Sequence, residues 1–249
     1  ASHGVIMSVN NSLACWPLEK FATDEQKEKY LRPLATGEKL GAYALTEPNA
    51  GTDAASQSSR AFADGDDWVL NGSKVFITNA VAADTFIVFM MTDPSRGVKG
   101  ISAFIVEKGM KGFSLGTFED KLGIRCSGTN ELAFEDCRVP KENMLGPEGR
   151  GFMIAMSTLD GGRIGIASQA LGIAQRCLDE SVKYSREREQ FGRPIGKFQA
   201  IQWMIADMAT RVEAARHLVY KAAYTKDHSK RYSVEAAMAK LFAAEVAME

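Results

Sequence analysis

The sequence predicts an α+β fold in which a helical start and a helical end flank a central antiparallel β domain, a barrel or a sandwich. Three observations carry that prediction. From about Leu40 to Val139 the chain shows short, evenly spaced β-rich runs with Gly-rich turns between them. After "PKENMLGPEGRG" the apolar residues advance by three and four instead. The two periodicities are segregated along the chain, which argues against alternating β-α-β units. The expected divisions are 1–36, helical, 37–145, the β domain, and 146–249, helical again.

The first division reads as helical. Thr23-Asp24-Glu25-Gln26 fits a capping box, in which the Thr hydroxyl takes the N3 amide while Gln26 reaches back. Pro33 and Gly37 then punctuate the exit. Next comes "YALTEPNAGTD", a strand end dense in turn and hydroxyl residues. Turn chemistry alone accounts for Pro48, Asn49 and Gly51. The alternative is that the loop presents N–H and hydroxyl groups to a flat ligand with polar edges, and on this stretch alone the turn reading leads. In "DDWVLNGSKVFITNA", the Asn71-Gly72 pair predicts a hairpin turn between two strands, because both turn positions need positive φ. "TFIVFMM", "GISAFIVEKG" and "NELAFEDCRV" are further strands.

Three long helices follow. Their predicted apolar stripes are Ile164, Ala167, Leu171, Ala174, Leu178 and Val182; then Ile201, Met204, Met208, Val212, Ala215, Val219 and Ala222; then Val234, Ala237, Leu241 and Ala244. "QFGRPIGKF" and "DHSKRYS" are the breaks between them. The Met residues in these stripes read as core filler.

Composition excludes several function classes. The chain has 249 residues, is 45% hydrophobic and carries a formal net charge of −1. With Lys and Arg spread along the chain, nucleic acid is not an expected partner. Cys15, Cys126, Cys137 and Cys177 are far apart and read as scattered reduced thiols. His3, His217 and His228 lack metal-ligand spacing, so no metal site is expected. No apolar stretch reaches the roughly 18 residues needed to cross a bilayer, so no membrane partner is expected either. The start lacks an initiating Met and a basic n-region, and the end stops inside an apolar helical pattern; both ends read as cut.

Common nucleotide-binding motifs and the zinc-hydrolase motif are missing: no G-x-x-x-x-G-K-[ST], G-x-G-x-x-G or H-E-x-x-H occurs. What remains is a series of polar placements. Thr46 and Thr78 end two strands, Asp160 and Arg163 lie three apart on one helix face, and Arg188, Phe191 and Gln199 surround a helix break. A local ion pair accounts for Asp160 and Arg163 taken alone. In order and spacing, "YALTEPNAGTD", "VFITNA", "EDKLGIRCSGTNELAFEDCRVP", "LDGGRIGIASQALGIAQ" and "REQFGRPIGKFQAIQ" together resemble the acyl-CoA dehydrogenase family, and most closely its short-chain, butyryl-CoA branch. The resemblance covers the whole chain.

The resemblance implies a helical domain, a β-barrel-like domain and a four-helix bundle, truncated here at both ends and assembled as a homotetramer. It implies FAD as cofactor. Tyr43, Leu45 and Thr46 would serve the flavin's pyrimidine edge, Thr78 its N5 region, and Phe76 would pack on the ring where many relatives carry Trp. Thr52 would touch both cofactor and acyl-CoA. Arg188, Phe191 and Gln199 would reach the FAD of a neighbouring subunit. Leu159 would border the acyl pocket, and Asp160 and Arg163 would meet the CoA portion.

The implied reaction is α,β-dehydrogenation of butyryl-CoA to crotonyl-CoA, with electrons passed to an electron-transfer flavoprotein. The base is expected as a Glu beyond residue 249. The other location used in the family matches Gly162, which has no side chain, so no catalytic residue is expected in this chain. The expected compartment is the cytoplasm for a bacterial protein and the mitochondrial matrix for a eukaryotic one. Competing readings are an enoyl-CoA reductase running the same site in reverse, an acyl-CoA oxidase, and a non-catalytic helical interaction protein that kept the fold.

Overall fold

The computed structural model describes residues 2–249, which divide into two compact units, Ser2–Leu159 and Asp160–Glu249. The first unit begins with helix α1 (Ser2–Ser8), a π-helical stretch Val9–Cys15, α2 (Trp16–Phe21), α3 (Asp24–Gln26), a second π-helical stretch Lys27–Leu31 and α4 (Arg32–Thr36). The capping box forms as expected: Thr23 Oγ1 accepts from Gln26 N–H at 3.2 Å, and Thr23 N–H donates to Gln26 Oε1 at 3.1 Å. Gly37 ends α4 in the left-handed region, φ 81°. Pro33 does not end the helix. It sits inside a continuous helical run, one residue after Arg32, whose N–H still bonds to Lys27 O at the end of the second π-helical stretch.

The strands are β1 (Gly41–Ala44), β2 (Arg60–Asp64), β3 (Asp67–Thr78), β4 (Thr85–Met91), β5 (Ile101–Glu107), β6 (Phe113–Phe118), β7 (Thr129–Pro140) and β8 (Met144–Leu145). They form one sheet in the order β6-β7-β3-β2-β4-β5-β8, with β1 beside β4. Most pairs are antiparallel as predicted, but β1 and β2 each run parallel to β4, so the sheet is mixed. "TFIVFMM" is β4, buried along its whole length. Phe86, Val88 and Met90 enter one core, and Ile87, Phe89 and Met91 enter another with the N-terminal helices. A strand buried on both faces has no polar side to alternate, which is why it reads as a continuous apolar run.

The predicted hairpin at Asn71-Gly72 does not form: β3 runs straight through it. The turn lies earlier, at Gly65-Asp66, where Asp64 pairs with Asp67 and Gly65 has φ 60°. Asn71 faces a bulge in β7, and its amide exchanges bonds of 3.0 and 2.9 Å with the side chain and N–H of Asp136, itself at φ 47°. Gly72 is required by a close approach, since an added Cβ would come within 2.3 Å of Ser59 Oγ.

The second unit holds most of α5 (Gly151–Glu187), a small hairpin of β9 (Glu189–Gln190) and β10 (Arg193–Pro194), α6 (Gln199–His228) and α7 (Ser233–Met248). In α5 and α6 the predicted stripes supply the core through Ile164, Ala167, Leu171, Ala174, Val212, Ala215, Val219 and Ala222. Met204 is not core filler here; it is 61% exposed. In α7 the predicted stripe has the wrong phase. Ala236, Ala239, Ala243 and Val246 are buried, while Val234 and Leu241 are exposed. This helix is apolar nearly all round, so spacing alone selects no face.

Candidate functional site

Within the first unit, the end of β1 and the end of β3 come together. Val75 N–H donates to Thr46 O at 2.9 Å, which sets Thr46 beside the Val75–Thr78 segment. Between Lys74 and Ile77 the β3–β7 register slips by one residue, so β3 bulges at Val75 and Phe76. Phe76 sits there at φ 59°, a conformation costly for an aromatic residue, and its ring is 63% exposed. The bulge turns a strand residue outward. Thr78 follows it, half-buried, paired with Thr129.

The polar groups around this corner are open. Among the described residues, the N–H of Thr46 and the hydroxyls of Thr46 and Thr78 have no hydrogen-bond partner. At and just beyond the same end of the β3–β7 ladder, buried Asn79 Oδ1, Ser127 Oγ and Asn130 Oδ1 are also unpaired. A projecting aromatic ring beside several unused donors and acceptors fits a flat ring system with polar edges, as a flavin has.

The remaining predicted residues of this unit take different places. Tyr43 is in the core, its hydroxyl donating to Ala155 O at 3.3 Å, and burial holds that phenol well above its ordinary pKa. Only its backbone could meet a ligand. Leu45 is likewise buried. Thr52 is exposed on the loop after β1, and Leu159 is partly buried against the core that contains Ile154.

In the second unit Asp160 and Arg163 form the i,i+3 ion pair, and Ser233 Oγ donates to the other carboxylate oxygen of Asp160. Gly162 is buried within α5. Arg188, Phe191 and Gln199 lie around the β9–β10 hairpin. Phe191 and Gly192 occupy its turn with φ 54° and 75°, a two-residue turn needing positive φ at both positions. That geometry leaves the Phe191 ring 92% exposed, and Arg188 and Gln199 are exposed too. Two grooves on α5 and α6 have volumes of about 470 and 540 Å³, and none of the predicted site residues lines either.

Sequence reasoning missed one group in this region. Lys74 is fully buried against Glu47, with Nζ to Oε1 at 2.7 Å. Burial pushes the ammonium pKa down to about 8, against the pull of the Glu47 charge. A signal existed: Trp68, Leu70 and Lys74 share the inward parity of β3.

Among the described residues no cluster of His, Cys, Asp or Glu could hold a metal ion, and no helix is long and apolar enough to cross a membrane.

Three family models match the chain: acyl-CoA dehydrogenase N-terminal domain over 1–38, middle domain over 42–137 and C-terminal domain over 149–249. The short-chain-specific acyl-CoA dehydrogenase of Clostridium acetobutylicum is 61% identical over 99% of this chain and 65% of its own. The mitochondrial short-chain-specific enzyme of Rattus norvegicus is 56% identical over 99% of this chain and 60% of its own. The solved butyryl-CoA dehydrogenase of Megasphaera elsdenii superposes with a TM-score of 0.96 at 56% identity, over 98% of this chain and 64% of that one. A chain solved in work on the electron transferring flavoprotein of Acidaminococcus fermentans and flavin-based electron bifurcation gives a TM-score of 0.98 at 62% identity, over 99% and 65%. The chain thus spans less than two thirds of the length of these relatives. It belongs to the acyl-CoA dehydrogenase family, a family of FAD-dependent oxidoreductases.

Proposed function

We propose that this chain is part of a short-chain acyl-CoA dehydrogenase that converts butyryl-CoA to crotonyl-CoA with FAD as cofactor. The observation that carries the reading is the corner at Thr46 and Phe76, where unpaired donors adjoin an aromatic ring held outward by a strained bulge. The identity of 61% to a short-chain-specific relative supports the chain-length assignment.

When bound, FAD supplies the hydride acceptor. Thr46 offers its N–H to the pyrimidine edge, together with the backbone of Tyr43 and Leu45; Thr78 serves the N5 region and Phe76 packs on the ring. Donors fixed where negative charge develops stabilise it without reorganising during the reaction. Thr52 contacts cofactor and acyl-CoA, Leu159 borders the acyl chain, and Asp160 and Arg163 meet the CoA portion. Arg188 brings a guanidinium to the pyrophosphate of a neighbouring subunit's FAD, with Phe191 and Gln199 beside it, in a homotetramer.

Removing the α proton needs a positioned carboxylate, and general-base catalysis supplies about 10²–10⁴-fold. We place that base in a Glu outside these 249 residues, because Gly162 has no side chain and both Asp160 oxygens are engaged. Electrons then pass to an electron-transfer flavoprotein, a weak and transient partner suited to a chain of near-neutral net charge.

The test is a chain-length series with protein that carries the Glu-bearing segment: butyryl-CoA should be preferred, and preference for octanoyl or branched substrates overturns the assignment. The 249 residues alone should bind and not turn over, and substantial butyryl-CoA turnover by them refutes the placement of the base. Enoyl-CoA reduction at the same site is the second reading, favoured by the 62% identity to the chain from the electron-bifurcation work. Faster crotonyl-CoA reduction than butyryl-CoA oxidation, each with an electron-transfer flavoprotein, would select it.

A further inference from the structure

Lys74 carries its ammonium group into the interior of the first unit, where the side chain has no exposure. Nζ donates to Glu47 Oε1 at 2.7 Å, Gln57 Oε1 at 3.1 Å and Leu45 O at 3.3 Å, which uses all three ammonium protons. Glu47 Oε2 accepts from Ser58 N–H at 2.6 Å, from Ser58 Oγ at 2.9 Å and from Ser59 N–H at 3.2 Å. The pair therefore ties the end of β1 to the far end of the loop after it.

A buried ion pair returns little net stability compared with apolar residues of similar volume. What it adds here is direction. In a trans peptide the C=O and N–H point opposite ways, so a Leu45 carbonyl drawn to Lys74 aims the Thr46 N–H away from the ammonium. Val75 N–H holds the Thr46 carbonyl at 2.9 Å from the other side. The Thr46 N–H is left fixed and unpaired among the described residues.

We propose that Lys74 and Glu47 are positioning residues for the cofactor: they hold the Leu45–Thr46 peptide so that its N–H meets the negative charge left on the pyrimidine edge when hydride arrives. The proposal rests on the flavin reading of this site. A donor aimed at the reduced form stabilises it more than the oxidised form and so makes reduction easier. Apolar residues could fill the same space without aiming the peptide.

The test is the redox equilibrium of the FAD-loaded protein, read against a dye of known potential, for wild type and for Lys74→Met/Glu47→Gln. The double variant removes both charges while its new amide oxygen still accepts from Ser58 and Ser59. Its cofactor-free thermal midpoint should stay within about 4 °C of wild type, the scale of a small stability change in a chain this long. Its ratio of reduced to oxidised cofactor at fixed potential should fall about tenfold, equal to about 30 mV for a two-electron couple. An unchanged ratio overturns the proposal, whatever happens to the thermal midpoint. If the double variant does not fold, Lys74→Arg replaces a point donor with a planar fork and should lower the ratio in the same sense, a wild-type ratio again overturning it. A wild-type protein that takes up no FAD refutes the flavin reading itself, a result distinct from an unchanged ratio.

Discussion

Two residues show how this chain accepts local cost beside its candidate site. Phe76 keeps a positive φ in a strand, where a non-glycine residue stores roughly 1–3 kcal/mol of strain. Its ring is mostly exposed, so little burial offsets that cost. Phe76→Gly should therefore raise the cofactor-free stability by about 0.5–1 kcal/mol while weakening FAD binding, checked by urea unfolding and FAD titration. Glu47 is the second case. Burial alone would raise its pKa, but the Lys74 charge and the bonds from Lys74 and Ser58 outweigh it and hold the carboxyl below its ordinary 4.5. A carboxyl depressed in the folded state adds stability that is present above 4.5 and lost as pH falls through the lower folded value. Acid unfolding of wild type should thus steepen below that point, and Glu47→Gln should flatten the pH dependence; identical slopes would show that Glu47 is not held this way.

At the scale of the element, the Asn-Gly pair separates what spacing can and cannot convey. Both a hairpin turn and a close approach of a neighbouring segment call for glycine, and the sequence does not say which the fold will supply. Gly72 at φ 135° faces Ser59 at contact distance, whereas Gly65 at φ 60° turns in open space. Gly72→Ala should cost more than about 2 kcal/mol and Gly65→Ala about 1 kcal/mol, because only the first adds a clash to the strain. Equal costs in thermal unfolding would show that the approach of Ser59 does not require glycine at Gly72. The same logic explains the rest of the fold. β4, β5, β7, α5 and α6 were legible because a long apolar run or a clear two-faced pattern leaves one packing solution. The face of α7 was not, since alanine on every side offers the core several equivalent stripes.

Across the whole molecule, the strand-end segments that form the Thr46–Phe76 corner could be read as a set, through resemblance, while in their supporting pair only Lys74 carried a signal, its parity with Trp68 and Leu70, and Glu47 carried none. Thr46 and Thr78 are conspicuous as polar endings to apolar strands. Lys74 and Glu47 look like ordinary surface charges until the pleat and the loop bring them together in the interior. The outlying residues carry their own prediction. Arg188 is exposed and makes no ion pair among the described residues, so Arg188→Ala should leave unfolding unchanged while weakening FAD retention by about 1.5–3 kcal/mol, the scale of a charged hydrogen bond. Unchanged retention would remove Arg188 from the site. Whether the corner of Thr46, Phe76 and Thr78 holds a flavin is read by titrating the cofactor-free, assembled protein with FAD and following flavin absorbance. The assembled protein should turn yellow and hold one FAD per chain; a correctly folded protein that stays colourless and takes up no FAD would rule out a flavin site at this corner.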